Sequence, residues 1–206
     1  MKSLLLIGGG GHCHACIDVI ESGQRYRIGG IVLPTRGDHV DVMGYQVIGA
    51  DQDLPALLAH TPNAIVTVGQ IKSAAIRVKL FDLLRIYGAY LPIIQSPSSY
   101  CSKHAGIGEG TILMHGSIVN AGAKVGANCI INTQSLIEHD VEIADHCHIS
   151  TGAKVNGGVR IGEGAFIGSG VILKEGVTIG AAAVIGAGQL ILNDVSDGMT
   201  IRAKHV

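Results

Sequence analysis

The stretch from Ser135 to Gly152, SLIEHDVEIADHCHISTG, concentrates residue types that bind metals or move protons. It contains three histidines and one cysteine, together with four carboxylates. Neutral imidazole and thiolate are zinc ligands, whereas a single exposed imidazole beside a carboxylate is suited to general-base catalysis. Zinc requires three or four side chains that converge on one point, and a general base does not. The secondary structure that positions these residues therefore determines which of the two kinds of site they can form.

Residues 107 to 196 form fifteen hexapeptides without a break, from IGEGTI to ILNDVS. The first position is always Ile, Leu or Val, and the fifth is small or β-branched except at Gln189. Such a period is typical of a solenoid in which three short strands close one triangular coil. The pattern predicts a left-handed parallel β-helix of five coils, an exception to the usual right-handed crossover. Flat-sided prisms of this kind commonly pack as a homotrimer.

The hexapeptide register separates the histidines of the opening stretch. Cys147 holds a fifth position, so we expect it to fill the core rather than to act as a ligand or nucleophile. His139 and His146 fall on different faces of one prism and can meet only across a subunit boundary, so we expect no metal site. We interpret His146 as a bystander on an outer face. His139 beside Asp140 suits a general base, and the alternative that both are solvated surface residues stays open.

The first half of the chain has a different pattern. Short apolar runs (SLLLIG, RIGGIVL, NAIVTVG) alternate with segments of helical spacing (HACIDVIESG, DQDLPALLAH, SAAIRVKLFDLLRIYG). This alternation predicts a small Rossmann-like α/β domain with a parallel sheet. The Pro/Ser-rich segment QSPSSYCSK marks a link, and we place a sheet domain at 1–98 and a β-helix domain at 99–206. Ligands of such sheets bind beyond the carboxyl ends of the strands, here at GGGGHCH and VGQIK.

The composition limits the partners of the protein. Fifteen basic and sixteen acidic residues leave a formal net charge of -1, which argues against a nucleic-acid surface. No segment is apolar for long enough to cross a bilayer, so we expect no membrane insertion. The apolar run after Lys2 stops at Ile7, unlike that of a signal peptide, and five cysteines without a framework suit a reducing compartment. We expect a cytoplasmic protein.

Two other motifs in the first half are weaker signals. GGGGHCH is not a dinucleotide fingerprint, because the third glycine of G-x-G-x-x-G would fall at Cys13 or His14. Backbone N–H groups at the start of a helix can still bind a phosphate or a sugar hydroxyl. Cys13 and Cys16 form an isolated C-x-x-C in a helical stretch, and we favour neither a zinc nor a redox role for them.

Nearly the whole chain resembles the bacterial sugar acetyltransferases of the hexapeptide class. These include sialic acid O-acetyltransferases and the N-acetyltransferases of UDP-4-amino-sugars and GDP-perosamine. The resemblance runs from LLIGGGGH through VGQ to the segment IINTQSLIEHDVEIADHCHISTGAKVNGGVRIGEGAFIGSGVIL, in which INTxSxIEHDxxI is the specific part. It implies a cytoplasmic homotrimer with active sites between subunits. The N-terminal domain would hold the sugar nucleotide, and a groove of the β-helix would hold acetyl-CoA.

The resemblance also implies roles for single residues. His139 matches the general base of the family, Asp140 the acidic residue that tunes this base, and His148 a histidine near the acetyl-CoA thioester. It places Gly157, Ser169 and Ala187 along the pantetheine groove. It places Gly10, Gly11, His12 and Gly69 at the acceptor sugar. The implied reaction is direct transfer without a covalent enzyme intermediate, with the oxyanion held by a backbone N–H or by His148.

Two departures from the family pattern concern the ligands. Pro34 and Thr35 stand where many members carry an acidic residue that binds the nucleotide, and GMTIRAKHV replaces the usual Gly-x-Pro-Ala-Lys at the CoA end. Candidate partners of the CoA phosphates are Lys154, Lys174, Arg202 and Lys204, and the alternative that each is a solvated surface residue stays equally open.

We predict N-acetylation of a nucleotide-linked amino sugar, of the UDP-4-amino-sugar type, for a bacterial surface glycan or glycoprotein. Three alternatives stay open. The first is O-acetylation of a sialic or related nonulosonic acid, and the second is a zinc lyase of the gamma carbonic anhydrase type. The third is a non-catalytic solenoid that serves assembly or binding.

Overall fold

The computed structural model describes residues 1–35, 41–70 and 73–202, and its N-terminal part is an α/β unit. The strands are β1 (Lys2–Ile7), β2 (Tyr26–Leu33), β3 (Asp41–Val42), β4 (Tyr45–Ala50) and β5 (Ala64–Val66). The helices are α1 (Gly11–Gly23), α2 (Leu54–His60) and α3 (Ala75–Ile86), with a 3-10 turn at Asp51–Asp53. The sheet order is β3-β4-β2-β1-β5, parallel except for the β3–β4 pair. The predicted Rossmann-like domain is confirmed, whereas the β3–β4 hairpin was not predicted.

Strand β1 lies inside the sheet and is covered on both sides. Leu4 and Leu6 pack with Ile17 of α1, whereas Leu5 and Ile7 face the opposite layer. Successive side chains of a strand point to opposite faces, so a continuous apolar run fits a strand that is buried on both. None of the helices in the described ranges is long and apolar enough to cross a membrane.

The other strands are two-residue segments that form three flat parallel sheets. Face 1 contains β6 (Ile94–Gln95), β9 (Ile112–Leu113), β12 (Ile130–Ile131), β15 (His148–Ile149), β18 (Phe166–Ile167), β21 (Val184–Ile185) and β23 (Thr200–Ile201). Face 2 contains β7 (Tyr100–Cys101), β10 (Ile118–Val119), β13 (Leu136–Ile137), β16 (Lys154–Val155), β19 (Ile172–Leu173) and β22 (Leu190–Ile191). Face 3 contains β8 (Gly106–Ile107), β11 (Lys124–Val125), β14 (Glu142–Ile143), β17 (Arg160–Ile161) and β20 (Thr178–Ile179). The chain forms the left-handed β-helix that the hexapeptides predict.

The core of the solenoid follows the hexapeptide register. First-position residues from Leu113 to Ile191 are buried in one continuous cluster, and small fifth-position residues such as Ala123 and Val159 complete it. Cys147 belongs to this cluster and is 0% exposed, which confirms its predicted place in the core. Strand β6 already pairs with β9 before residue 98, so the domain limits 1–98 and 99–206 stay a prediction.

Tight corners join the faces, and we name each by the two faces that it connects. The fourth residue of a hexapeptide adopts a positive φ there, and most of these residues are glycines. Four consecutive hexapeptides carry other residues at this position: Asn128, Gln134, Asp140 and His146. Asn, Asp and His tolerate the left-handed region better than most residues do. Asn128 and His146 lie on corner 3–1, Gln134 on corner 1–2 and Asp140 on corner 2–3.

The α/β unit rests against corner 3–1, and this contact overturns the prediction for His146. His146 is 8% exposed rather than solvated on an outer face. Its Nδ1 lies 3.0 Å from Asn128 Nδ2, and its ring meets Phe81 of α3 edge-on at 5.4 Å. The register correctly directs this side chain away from the solenoid core, but helix α3 covers the corner where it emerges.

Candidate active site

Two clefts meet on the surface of the molecule. An inter-domain cleft of about 660 Å³ is lined by Gly10, Gly11, His12, Ala15, Thr67, Val68, Gly69, Gln70, Asn132, Thr133, His148 and Thr151. A second cleft, here called the solenoid groove, has about 470 Å³ and is lined by Gln70, His148, Ser150, Phe166, Gly168, Ser169, Val184, Gly186, Ala187 and Arg202. Gln70 and His148 belong to both clefts, so a group bound in one can reach a group bound in the other at this junction.

The clefts bring together most of the residues that the sequence singled out. The four acceptor candidates, Gly10, Gly11, His12 and Gly69, line the inter-domain cleft. Ser169 and Ala187 line the solenoid groove, together with Arg202, one of the candidate phosphate partners. His139, Asp140 and Gly157 are not among the lining residues of either cleft. Lys204, another phosphate candidate, lies outside the described residues.

The residues predicted to contact the acceptor sugar lie together in the segments that follow the carboxyl ends of β1 and β5. Helix α1 begins at Gly11, and its N-cap Gly10 provides no side-chain cap. A Cβ atom on Gly69 would lie 3.3 Å from Cβ of His12, so the absence of a side chain lets the two segments approach closely. Burial, followed by the charge of Arg77, lowers the pKa of His12 to about 4. His12 therefore presents an uncharged ring to the cleft at neutral pH.

His148 projects from face 1 at the junction of the two clefts, and its hydrogen bonds define its tautomer. Nδ1 lies 3.0 Å from the backbone oxygen of Gln70, so Nδ1 carries the proton and donates it. Nε2 lies 3.3 Å from Nδ2 of Asn132 and is left as an acceptor. Burial, then the neighbouring His12 and Arg77, lower the pKa of His148 to about 3.

Asn132 and Gln70 are site residues that we did not predict. Asn132 belongs to the INT segment that makes the family resemblance specific, and this was the signal that could have revealed it. Its Oδ1 accepts the N–H of Thr133 at 2.8 Å, which turns its amide nitrogen toward His148. Gln70 follows the run VTVG, and no pattern in the sequence shows that it contacts residues of the solenoid.

His139 and Asp140 lie on corner 2–3. Nδ1 of His139 is 3.0 Å from Oδ2 of Asp140, and both side chains are exposed. The contact leaves Nε2 of His139 available as a proton acceptor. Gly157, one coil further on, lies against the ring, because a Cβ there would be 2.7 Å from both Cε1 and Nε2. The three residues form a compact base site that is open to a partner.

The described residues contain no group of three or more His, Cys, Asp or Glu side chains arranged to hold a metal ion. Cys13 and Cys16 are buried in α1, and burial raises the pKa of both thiols. A thiol with a raised pKa is a poor nucleophile and a poor metal ligand at neutral pH. Both thiols therefore stay protonated at neutral pH, and Sγ of Cys16 lies 3.4 Å from Nε2 of His12.

Comparisons with known proteins define the class of the chain. Residues 3–84 match the PglD N-terminal domain, and residues 158–188 match the bacterial transferase hexapeptide (six repeats). The acetyltransferase domain of PglB from Neisseria gonorrhoeae is 31% identical, with a TM-score of 0.89 over 97% of this chain and 96% of that one. The same domain has also been solved in complex with acetyl coenzyme A. A search of curated protein sequences finds no match.

Two further solved structures share the whole fold. A mutant perosamine N-acetyltransferase from Caulobacter crescentus, in complex with CoA and GDP-perosamine, is 32% identical, with a TM-score of 0.88 over 97% of this chain and 93% of that one. WeeI from Acinetobacter baumannii is 22% identical, with a TM-score of 0.82 over 97% and 96% of the two chains, and shows the fold alone. The chain therefore belongs to the hexapeptide-repeat sugar acetyltransferases, in the group that carries a PglD-type N-terminal domain.

Proposed function

We propose that this protein transfers the acetyl group of acetyl-CoA to the amine of a nucleotide-linked 4-amino sugar for a bacterial surface glycan or glycoprotein. The observation that carries the proposal is the meeting of two clefts at His148, one on the α/β unit and one along the solenoid. A sugar in the first cleft and a thioester in the second would place nucleophile and electrophile side by side. The relatives that bind acetyl-CoA, CoA and GDP-perosamine support this assignment of the two ligands.

The composition of the solenoid groove fits a pantetheine arm. Its corner residues are small, including Gly168, Ser169 and Ala187, and leave room for an extended chain. Phe166 adds an apolar wall, and Ser150 and Ser169 supply polar atoms. Arg202 carries the positive charge that a phosphate group prefers. A cytoplasmic location follows from the proposal, because acetyl-CoA is a cytoplasmic metabolite.

The base site and the groove lie on opposite edges of face 2, and this supports a homotrimer. The outward side chains of this face form an apolar row that is broken only by a lysine: Tyr100, Ile118, Leu136, Lys154, Ile172 and Leu190. In the single chain Tyr100 is 58% exposed and Leu190 is 61% exposed. A continuous row of exposed apolar side chains is unusual on the free surface of a protein. Face 3, in contrast, carries an ion-pair row in which Glu142 joins Lys124 and Arg160.

A second copy of the chain is the occupant that fits the apolar row of face 2. Three copies packed by this face around a threefold axis would set corner 2–3 of one subunit beside corner 1–2 of the next. His139 of one subunit would then approach the solenoid groove of its neighbour. The exposure of His139, at 67% of its side chain, agrees with a residue that completes its site only in the assembly.

The proposed reaction needs few groups. The amine of the acceptor attacks the thioester carbonyl, and Nε2 of His139 takes the proton that the amine loses. The carbonyl oxygen becomes an oxyanion, the tetrahedral intermediate collapses, and the C–S bond breaks to release the CoA thiolate. His148 holds its proton on the side of Gln70, so a backbone N–H is the better of the two oxyanion donors considered above. Asp140 orients the base through Nδ1.

The experiment that tests the function is release of free CoA from acetyl-CoA in the presence of a panel of acceptors. The panel contains UDP- and GDP-linked 4-amino sugars, their 4-hydroxy counterparts and free sialic acids. We expect turnover with a nucleotide-linked amine and none with its 4-hydroxy counterpart. Turnover with sialic acids alone would contradict the proposed N-acetylation and would favour O-acetylation. Silence across the panel would favour a non-catalytic solenoid.

A further inference from the structure

Arg77 of α3 is a buried cation with unusual partners. It is 1% exposed and is the largest of the fully buried side chains in the described residues. Its guanidinium donates to the backbone oxygens of Asn128 and His146 and to Oε1 of Gln70, none of which is a carboxylate. Its Nε is buried without a hydrogen-bond partner among the described atoms. Burying a charge among neutral acceptors is costly, so this arrangement needs an explanation.

Part of the explanation lies at corner 3–1. The backbone oxygens of Asn128, His146 and Gly164 follow one another by one coil each, and Arg77 of α3 and Gln70 lie against them. Covered carbonyl groups need donors from the protein. Arg77 serves the first two, and Nε2 of Gln70 donates to Gly164 at 2.8 Å. Neutral donors would satisfy these oxygens as well, so the charge of Arg77 is still unexplained.

Gln70 connects Arg77 with the junction of the two clefts. Its side chain is held at both ends, because Oε1 accepts from Arg77 and Nε2 donates to Gly164. The direction of its backbone carbonyl is thereby restricted, and this carbonyl accepts the Nδ1 proton of His148 at 3.0 Å. Arg77 is therefore linked to His148 through a single intervening residue.

We propose that Arg77 is a positioning residue that acts through Gln70 to hold His148 in one tautomer and one orientation. In this state Nε2 of His148 keeps its lone pair as an acceptor, which Asn132 faces in this structure and which an N–H group on the pantetheine arm in the solenoid groove would take over. The inference rests on the proposed acetyl transfer and adds a positioning residue to the site of that reaction. Arg77 itself touches no substrate.

The electrostatics around His148 agree with this role. Burial is the main cause of its lowered pKa, and the charges of His12 and Arg77 lower it further. A protonated imidazole would donate from both nitrogens and would lose its acceptor function. The charge of Arg77 therefore adds to the effect of burial and favours the acceptor state of His148 further than a neutral residue at position 77 would. The same cation also lowers the pKa of His12 and of His146.

The test uses Arg77→Met and Gln70→Met in the full-length protein, with Arg85→Met as a matched control. Arg85 lies on the same helix with an exposed side chain. The first readout is the imidazole 15N spectrum of the ligand-free protein, in which His148→Asn assigns the signals. We expect a single Nδ1–H tautomer in the wild type and in the control. In both test variants we expect a mixture of tautomers, with the KM for acetyl-CoA raised about 10- to 100-fold.

An unchanged tautomer and an unchanged KM in folded Arg77→Met would overturn the proposal, even if its stability falls. If Arg77→Met does not fold, Gln70→Met decides by the same readouts. The failure of the proposed function would look different. A wild type that transfers no acetyl group would refute the reaction, while the spectrum would still report whether Arg77 and Gln70 control His148.

Discussion

His139 and His148 are nine residues apart in the sequence, yet they lie on different sides of the solenoid. His139 follows β13 of face 2 at corner 2–3, whereas His148 projects outward from β15 of face 1. Corner 2–3 is the edge of the prism opposite face 1, so one chain cannot present both histidines to the same substrate. The separation is the reason for placing the proposed reaction between two subunits.

Gly157→Ala should impair catalysis without unfolding the protein. The new Cβ would lie 2.7 Å from Nε2 of His139 and would push the exposed ring aside. A displacement of about 1 Å at a reacting group can reduce the rate by about 100-fold. Steady-state kinetics give the change in kcat. Gly106→Ala is the control, since a Cβ there meets nothing within 4 Å; equal kinetics of the two variants would argue against the base site.

Asp140→Asn should reduce kcat by about 10- to 100-fold. Asparagine fits the backbone φ of 60° at this position but accepts a weaker hydrogen bond from Nδ1 of His139 than a carboxylate does. The thermal unfolding midpoint should stay within a few degrees of the wild type. If kcat is unchanged, Asp140 does not orient the base.

Ile118→Glu should dissociate the proposed trimer. The substitution places a charge in the apolar row of face 2, where burial without a partner costs about several kcal/mol. Light scattering should report a mass near 21.3 kDa, and activity should fall together with assembly. Thr178→Glu on face 3 is the matched control and should remain trimeric. A trimeric, active Ile118→Glu would show that face 2 is not the interface.

Mixed trimers test whether the site lies between subunits. His139→Ala removes the base, and Ala187→Trp fills the solenoid groove, so each variant alone should be inactive. Co-refolded equal amounts should recover activity at about one quarter of the sites, where both intact halves meet. No recovery in mixed trimers would indicate that base and groove belong to the same chain.

Acid should destabilise the protein through His12 and His148. Their folded-state pKa values are about 4 and about 3, below the ordinary value of 6.5. At a pH between 6.5 and the folded-state pKa, each histidine is protonated in the unfolded chain but not in the folded chain. The free energy of unfolding therefore falls as the pH falls below 6.5. From pH 7.5 to 4.5 the loss is on the order of 2–3 kcal/mol per histidine.

Urea unfolding at fixed protein concentration measures this loss. His148→Asn should show a smaller difference between the two pH values than the wild type, because one depressed group has been removed. An identical pH dependence in His148→Asn would mean that His148 does not contribute to it.

Much of the fold followed from the sequence because the solenoid is a local pattern. Each hexapeptide has an aliphatic first position and a small fifth position. A period of six residues therefore specifies the strands and the burial of Cys147. The contact between the α/β unit and corner 3–1 has no such period. It depends on the shape of α3, and for this reason the burial of His146 and the role of Arg77 could not be predicted.

The candidate site divides in the same way. Motif and resemblance predict roles for His139, Asp140 and His148, and these residues lie on one or two neighbouring coils. Gln70 reaches His148 across 78 residues, and only the folded structure shows this contact. Asn132 could be predicted in part. It belongs to a specific motif, but its contact with His148 joins two coils and is visible only in the structure.

The most direct measurement is kcat for acetyl transfer in His139→Ala, with an acceptor amine that the wild type uses. Removal of a general base should lower kcat by about 100- to 10,000-fold. The variant should remain trimeric and should bind acetyl-CoA as the wild type does, because His139 lies outside the solenoid groove. A folded, trimeric His139→Ala with wild-type turnover would contradict the assignment of the base and the reaction derived from it.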